Sequence, residues 1–472
     1  MVQNQDQQGG IGWLEASGLR SIIGTLRAAC QPSKLVLGLF GIFLTFVLGG
    51  VLDLIWSQHQ VGEAAITQFI QARQMDRTHE DPEGTYGIFE VWRTHQKRCV
   101  LGVLGSSIPG TSVIGGTILG NYLETHADTR PLHNVVGMVY GVWWLVRHHF
   151  LYFLLFAIGF LLIWSWCGGA MCRMDAVRLA RGEPVPIREA LEFSRQKLFG
   201  GFFLAPVIPI GFILLTTVVM ILGGMVFRIP ILGDVLCGLG FGLAILGGFL
   251  IAVLLVGLAI GGHLLWPAVA VEGSDAFDAF QRGIYYPLSK PWKWLLYTVI
   301  AIVYAAICWV IVNLFTYLAL LITRFVVSVG AAWFGWWPNG TEEAPINKMA
   351  MLWPFAGPEA MHAWPAFEGL AWWEYISVVL VGVWVLITIG LLWSFLISLY
   401  FSNSTVIYLL LRRDVDDVDT DEIYIEEDDA TGESSPPFGA PPAAEDSPEA
   451  SSPAQNPDSA EENPRSESTG EA

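Results

Sequence analysis

Charge is scarce in this chain. Asp, Glu, Lys and Arg make up 14% of its 472 residues, whereas hydrophobic residues make up 53%. Soluble globular domains carry about 25% charged residues, so this chain lacks the polar surface that a water-soluble body of its size needs. The scarcity of charge excludes an ordinary soluble globule. Together with a mean hydropathy of +0.50, it indicates a polytopic membrane protein.

Cysteine and the spacings typical of catalytic or metal sites are scarce as well. Six cysteines are too few for a secreted disulfide scaffold. The nine histidines form no His-Glu-x-x-His motif, and there is neither a Cys-x-x-Cys nor a phosphate-binding Gly-x-x-x-x-Gly-Lys-Ser/Thr. We therefore expect no metal, no cofactor, no catalytic residue and no nucleic-acid partner. The first 30 residues also lack the compact apolar core of a cleavable signal peptide.

Most of the acidity lies in one segment, residues 412–472. It holds 19 acids and three bases, a net charge of −16, whereas the other 411 residues have a net charge of −2. It is also rich in Pro and Ser, and such a composition leaves little to offset the entropy of ordering. We predict a cytosolic tail over 412–472 that is disordered beyond about Asp429. It is either an interaction segment or a solvated terminus.

Six apolar stretches are long enough to cross a bilayer, which takes about 20 residues. The stretches are 35–56, 150–172, 198–227, 235–271, 294–323 and 375–411. Within them we predict spans near 35–56, 150–172, 200–226, 241–266, 294–323 and 376–400. They form an all-α, six-span membrane domain over 35–411. The fourth and sixth stretches exceed a bilayer's thickness, so we expect their surplus to be interfacial helix or a cytosolic extension.

The bases favour one side of the membrane. Six lie in the loop 173–197, three in 267–293, three in the amino-terminal segment and two directly after the last span, whereas the opposite loops hold few. The positive-inside rule then predicts a multi-pass plasma-membrane protein with both termini in the cytosol. The segment 1–34, with an amphipathic helix, lies inside, and the segments 57–149 and 326–374 lie outside.

Two features of the external segments need interpretation. Residues 99–123 are uncharged and glycine-rich, and we interpret them as external or re-entrant because a seventh crossing would reverse the charge pattern. The loop 326–374 is rich in tryptophan, and two further tryptophans, Trp143 and Trp144, precede the second span. Tryptophan favours the headgroup layer, so we expect these residues to anchor the outer boundary.

The two base-rich loops share a pattern. Each leaves a span, breaks at a glycine and begins a short helix behind a polar or proline-containing cap. In the second loop the break is at Gly273, Ser274 is the expected N-cap with Asp275 in the first turn, and Phe277 and Phe280 form the apolar side. We predict amphipathic helices on the cytosolic surface.

The second loop also carries the candidate inner-surface motif. Its members are Glu272, Gly273, Asp275, Asp278 and Arg282. One hypothesis is a lipid-acting enzyme that uses the four ionisable members at the inner surface. The spacing of Asp278 and Arg282 is equally that of an ordinary ion pair along a helix.

The surrounding residues carry a resemblance. The run 270–282, with Glu272 and Gly273 followed by Ala279 and Arg282, resembles an element of several bacterial membrane families. One of these is the membrane domain found with glycerophosphodiester phosphodiesterases. More closely, the segments 164–209, 265–297 and 404–424 resemble an uncharacterised family of bacterial six-span integral membrane proteins. The resemblance covers about 35–427 and implies a six-span helical domain, with no known activity.

Two further functions remain open. The scarcity of chemical groups and the paired surface helices favour a non-enzymatic scaffold or assembly partner, in contact with the lipid bilayer and other membrane proteins. The alternative is a permease-like transporter. It would use a third span kinked by Pro206 and Pro209 and a glycine-rich fourth span with His263, the one ionisable candidate inside a span. Gly257 and Gly261 equally suit close helix packing.

Overall fold

Helices form almost all of the structure, a computed structural model that describes residues 19–57, 61–62, 65–66, 85–106, 131–226, 229, 232–333 and 372–424. Within these residues, the two-residue strands β1 (Val61–Gly62) and β2 (Thr85–Tyr86) form one antiparallel pair. The helices are, in chain order, α1 (Leu19–Ala29), α2 (Pro32–Ile55), α3 (Ile88–Ser106), α4 (Pro131–His148), α5 (Phe150–Arg181), α6 (Ile187–Gln196), α7 (Leu204–Met225), α8 (Leu232–Gly261), α9 (Leu265–Glu272), α10 (Ala276–Ser289), α11 (Pro291–Trp333) and α12 (Trp372–Asp416).

Six helical stretches are long and apolar enough to cross a membrane. They are Pro32–Ile55, Phe150–Arg181, Leu198–Met225, Gly238–Glu272, Pro291–Gly330 and Trp372–Asp416. Each contains one of the predicted spans or most of it, so the all-α, six-span membrane fold is confirmed. A π-helical turn, Leu198–Phe202, opens the third stretch, and a 3-10 turn, Gly262–Leu264, joins α8 to α9 in the fourth.

The last helix, α12, lies at the centre of the bundle. It packs against α1, α2, α5, α9, α10 and α11. Its carboxyl-terminal half is buried almost continuously, from Ser394 to Arg412. We expected the surplus length of this span at the interface or in the cytosol, and its burial among other helices leaves that expectation a prediction. The other helices enclose the surplus because its hydroxyl-bearing residues bond to them instead of facing lipid.

The third and fourth spans form a hairpin at the side of the bundle. Here α7 packs on α8, and both pack on α10. A side chain added at Gly261 would place its Cβ 2.2 Å from the carbonyl oxygen of Gly283 in α10. The glycine spacing in α8 therefore allows two backbones to touch. Only 6% of the apolar stretch of the fourth span is buried, against 28% of the first and second.

A second apolar cluster joins α3 and α4 to the ends of α2 and α5. Asp53 organises it, because its Oδ1 accepts hydrogen bonds from the backbone N–H of Phe89 (2.9 Å) and from the hydroxyl of Tyr152 (2.7 Å). Trp144 is 3% exposed within this cluster. It is therefore a core residue and not the interfacial anchor that we predicted, whereas Trp143 is exposed.

Parts of two predicted external segments lie outside the described residues. The glycine-rich stretch 99–123 is helical up to Ser106 as the end of α3, and 107–123 lie outside. In the tryptophan-rich loop 326–374, α11 extends to Trp333 and α12 begins at Trp372, and the residues between them lie outside.

The predicted boundary of the acidic tail at Arg412 is too early. The last helix continues to Asp416, the chain turns at Asp417, which has a positive φ of 53°, and residues 418–424 return to the bundle. Val415 and Ile423 pack on the main core. Apolar side chains and a buried arginine within 412–424 thus hold this part in place. Residues 425–472 lie outside the described residues.

Candidate functional site

The buried half of α12 carries a set of polar side chains, which we call the polar seam. Burying such groups among apolar helices is unfavourable unless they are hydrogen-bonded. All of them are 7% exposed or less. They are Ser394, Ser398, Ser402, Asn403, Ser404, Thr405, Tyr408 and Arg412.

Two serines of the polar seam bind the joint between α1 and α2. The hydroxyl of Ser398 donates to the carbonyl of Ala29 (3.0 Å), the last residue of α1. The hydroxyl of Ser394 donates to the carbonyl of Leu35 (2.6 Å). A helix leaves its last carbonyls without intrahelical partners, so Ser398 satisfies a group that lipid could not.

An ion pair lies on the same side of α12. Lys34 of α2 and Asp175 of α5 are 0% and 1% exposed. The ammonium of Lys34 contacts Oδ1 of Asp175 and donates to the hydroxyl of Ser402 at 2.7 Å. The second carboxylate oxygen, Oδ2, is buried and has no hydrogen-bond partner among the described residues. The two charges compensate each other in a place where either alone would be costly.

A second ionic cluster surrounds Glu272 at the end of α9. One of its carboxylate oxygens lies 2.8 Å from Nε of Arg412 and 3.3 Å from a terminal nitrogen of Arg282. The hydroxyl of Tyr408 donates to the same oxygen at 3.1 Å. Of the predicted motif, the structure thus brings Glu272 and Arg282 together. Two guanidinium groups on one carboxylate join α9 and α10 to the end of α12.

The other members of the motif shape the turn between α9 and α10. Gly273 has a φ of 61°, in the left-handed region, and its N–H donates to the carbonyl of Val269 at 2.9 Å. Asp275, and not Ser274, is the N-cap of α10, since its Oδ1 accepts from the backbone N–H of Asp278 at 3.0 Å. A carboxylate suits this position because it also faces the positive end of the helix dipole. Asp275 and Asp278 are exposed.

Tyr286 extends this cluster along α10. Its hydroxyl donates to the carboxylate of Asp416, and its ring centroid lies 5.5 Å from that of Tyr408. Burial, and then the bond to the carboxylate, raise the pKa of Tyr286 to about 12. The buried face of α10 consists of Ala276, Ala279, Gly283 and Tyr286. Phe277, which we expected on the apolar side with Phe280, is exposed, and its ring centroid lies 6.4 Å from that of Phe280.

Arg173 is a third buried charge at this end of the bundle. We assigned it to the loop 173–197, but α5 continues to Arg181 and ends at Gly182, whose φ is 76°. Arg173 donates to the carbonyls of Ala270 (3.0 Å) and Tyr424 (2.8 Å). Its guanidinium carbon lies 4.2 Å from the ring centroid of Phe193.

The residues proposed for a transport site lie apart from these clusters. His263 is in the 3-10 turn between α8 and α9. Its Nε2 is buried without a partner among the described residues, and its ring centroid is 6.4 Å from that of Trp294. Pro206 lies in the first turn of α7, where proline is tolerated, and Pro209 lies inside the helix.

The sequence analysis missed Lys34, Asp175, Arg173, Arg412 and Tyr408. It placed the first four in loops or termini, or gave them no role. A signal was present in α5, where neither glycine nor proline interrupts the chain between Cys172 and Gly182. Nothing in the sequence pairs Lys34 with Asp175, because 141 residues separate them.

No group of three or more His, Cys, Asp or Glu side chains is placed to hold a metal ion in the part of the chain that the structure describes. Comparisons with family models, with curated proteins and with solved structures each found no match to this chain. The family resemblance therefore stays a prediction.

Proposed function

We propose that this protein is a non-enzymatic scaffold or assembly partner of the plasma membrane, with both termini in the cytosol. Its contacts are the lipid bilayer and other membrane proteins. The observation that carries the proposal is the side hairpin α7–α8, an apolar arm that the protein's own core leaves almost uncovered.

The buried charges support a structural use of the polar groups. Lys34 is compensated by Asp175, and Glu272 by Arg282 and Arg412. The pairs of Lys34 with Asp175 and of Glu272 with Arg412 connect helices that are distant in sequence. Groups that bond one another in this way hold a bundle together, whereas a catalytic site needs groups directed at a substrate.

The surface of α8 supports an assembly role. Large apolar side chains project from it, among them Leu243, which is 75% exposed. Between them lie glycines such as Gly240, Gly242 and Gly248. At these positions an added Cβ would meet no atom of the described residues within 4 Å. Helices associate in membranes where small residues let backbones approach, and this stretch offers such positions to the span of another protein.

The placement of bases supports the orientation. Four exposed bases lie in or next to α6 and α10, at one end of the bundle. They are Arg181, Arg188, Arg195 and Lys290. Both the first described helix and residues 418–424 lie at this same end. The positive-inside rule then assigns this end to the cytosol.

Site-specific photo-crosslinking in native membranes tests the scaffold. A photoreactive residue replaces Leu243 in α8, and the matched control replaces Phe315 in α11, an apolar residue that is 72% exposed. We expect one discrete protein adduct from the hairpin position and only lipid adducts from the control. We also expect the abundance of the captured protein to fall when this chain is deleted. Lipid adducts alone from both positions would overturn the scaffold.

A second candidate function is transport of a small solute, which the interruption of the fourth span favours. Interrupted helices are where many transporters build their binding sites. His263 places at this interruption a buried nitrogen that has no hydrogen-bond partner among the residues that the structure describes. Uptake of a panel of small polar solutes into liposomes with purified protein tests it. Transport that His263→Ala abolishes without loss of folded protein would support this function. No uptake above that of empty liposomes would exclude it for the panel.

A further inference from the structure

Residues 417–424 fold back onto the bundle in a defined way. The positive φ of Asp417 reverses the chain, and the N–H of Glu422 bonds to the carbonyl of Asp419 at 3.3 Å. Arg412 donates to the carbonyl of Glu422. This turn brings Tyr424 to the place where α5 and α9 meet.

Both main-chain groups of Tyr424 are bound. Its N–H donates to the carbonyl of Val271 at 2.9 Å. Its own carbonyl accepts from Arg173 at 2.8 Å. Proteins bind extended peptides through main-chain hydrogen bonds of this kind, and pockets for the side chains select which peptide binds.

The side chain of Tyr424 fits a gap over Gly273. A Cβ added to Gly273 would lie 2.3 Å from the ring of Tyr424, so only glycine leaves room for it. Nζ of Lys197 lies 5.5 Å from the ring centroid and also donates to the carbonyl of Gly273 at 2.7 Å. A cation at this distance attracts an aromatic ring through the ring's quadrupole. We call Arg173, Lys197, Val271 and Gly273 the tyrosine slot.

We propose that the tyrosine slot is a peptide-binding site for an extended acidic segment that carries a tyrosine. Residues 417–424 are its ligand in cis, and a segment of the same chemistry can replace them in trans. Charge complementarity supports this occupant, because the slot contributes two cations and residues 417–422 contribute four acids. Tyr424 is 41% exposed, so the slot opens at the surface and a peptide can enter it without unfolding of the bundle. The inference is independent of the scaffold proposal.

The short linker between α12 and Tyr424 determines how strongly residues 417–424 compete with a peptide for the tyrosine slot. Seven residues connect the end of α12 to Tyr424, and a short flexible linker gives an effective concentration on the order of millimolar. The slot of the wild-type chain is therefore filled. Removal of the tyrosine ring leaves only the two main-chain hydrogen bonds, so it weakens the resident segment as a competitor while leaving the slot residues unchanged.

The experiment measures binding of a fluorescent peptide with the sequence of residues 417–427 to the full-length protein in detergent micelles. We expect the Tyr424→Ala protein to bind this peptide at least tenfold more tightly than the wild-type protein does. Tyr424→Phe, which keeps the ring, should behave like the wild type. A peptide in which alanine replaces the tyrosine should bind neither protein, and rising salt should weaken binding.

Hydrogen exchange gives a second readout that does not depend on the variants. In the wild-type protein, the Tyr424 amide should exchange faster when millimolar unlabelled peptide is added, and the alanine peptide should have no such effect. Equal affinity for the wild-type and Tyr424→Ala proteins would overturn the proposal. So would equal affinity of the two peptides, or an exchange rate that the added peptide leaves unchanged.

Discussion

The ion pair between Lys34 and Asp175 gives the sharpest test of the fold. Both side chains are fully enclosed, at 0% and 1% exposure. Asp175→Asn leaves a buried ammonium without a counter-charge, and Lys34→Met leaves a buried carboxylate. Loss of one partner from a buried pair costs about 3–5 kcal/mol. The loss of one hydrogen bond to a charged group, as in Ser402→Ala, costs about 1.5–3 kcal/mol.

The double replacement should behave differently from the two single ones. Lys34→Met combined with Asp175→Leu removes both charges and fills the space with apolar groups, and such exchanges are often neutral or stabilising. We therefore expect the double variant to lie within about 1 kcal/mol of the wild-type protein. The assay is the free energy of unfolding in mixed micelles for the wild type, Lys34→Met, Asp175→Leu and the double variant. Additive losses, with the double variant the least stable, would refute a mutually compensating pair.

Three further changes test other contacts. Glu272→Gln takes the carboxylate from the buried Arg412 and should lower the free energy of unfolding by about 1–3 kcal/mol. Gly261→Ala drives a methyl group into the carbonyl of Gly283, so the crossing of α8 and α10 must open. We expect a loss of about 1–3 kcal/mol by thermal unfolding. Tyr286 has a raised pKa, so it stabilises the fold below its ordinary pKa of 10, and this contribution is lost as the pH rises through about 12. The free energy of unfolding measured from pH 8 to pH 12 should therefore fall less steeply for Tyr286→Phe than for the wild type.

Each of these changes has a matched control or a contrary outcome. Asp278→Asn alters an exposed carboxylate of the same motif and should change the stability by less than about 0.5 kcal/mol. Gly248→Ala adds a methyl group where no described atom lies within 4 Å, so better helix propensity should leave the protein unchanged or slightly more stable. If either control costs as much as its partner, the contacts named above are not the cause. Parallel pH profiles for the wild type and Tyr286→Phe would show that this phenol is not responsible for alkaline destabilisation.

The spans could be predicted because burial in lipid requires long apolar runs, and such runs are local in sequence. The helix breaks at Gly182 and Gly273 were also predictable from the local sequence. Both residues adopt the left-handed conformation that favours glycine, with φ values of 76° and 61°. The motif included both Glu272 and Arg282, but the ion pair that its spacing suggested was Asp278 with Arg282.

The polar seam could not be predicted, because its partners are far apart in the chain. Lys34 and Asp175 each look like a base or an acid at the edge of a span, and only the packing of α2 on α5 makes them a pair. Arg173 could not be recognised as part of α5, because a base after an apolar run resembles the start of a loop. The return of residues 418–424 to the bundle could not be predicted either. Their acidic composition is typical of a solvated tail, but Val415 and Ile423 pack on the main core.

The central position of the last helix has a consequence for biosynthesis. The hydroxyl of Ser394 bonds to the carbonyl of Leu35 across 359 residues. The first two helices therefore leave the ribosome long before their partner on α12 exists. Until then the carbonyls of Ala29 and Leu35 lack the hydroxyl groups that bond to them in the folded protein. Contacts of such separation form slowly. We therefore expect these contacts to form only after α12 has been synthesised.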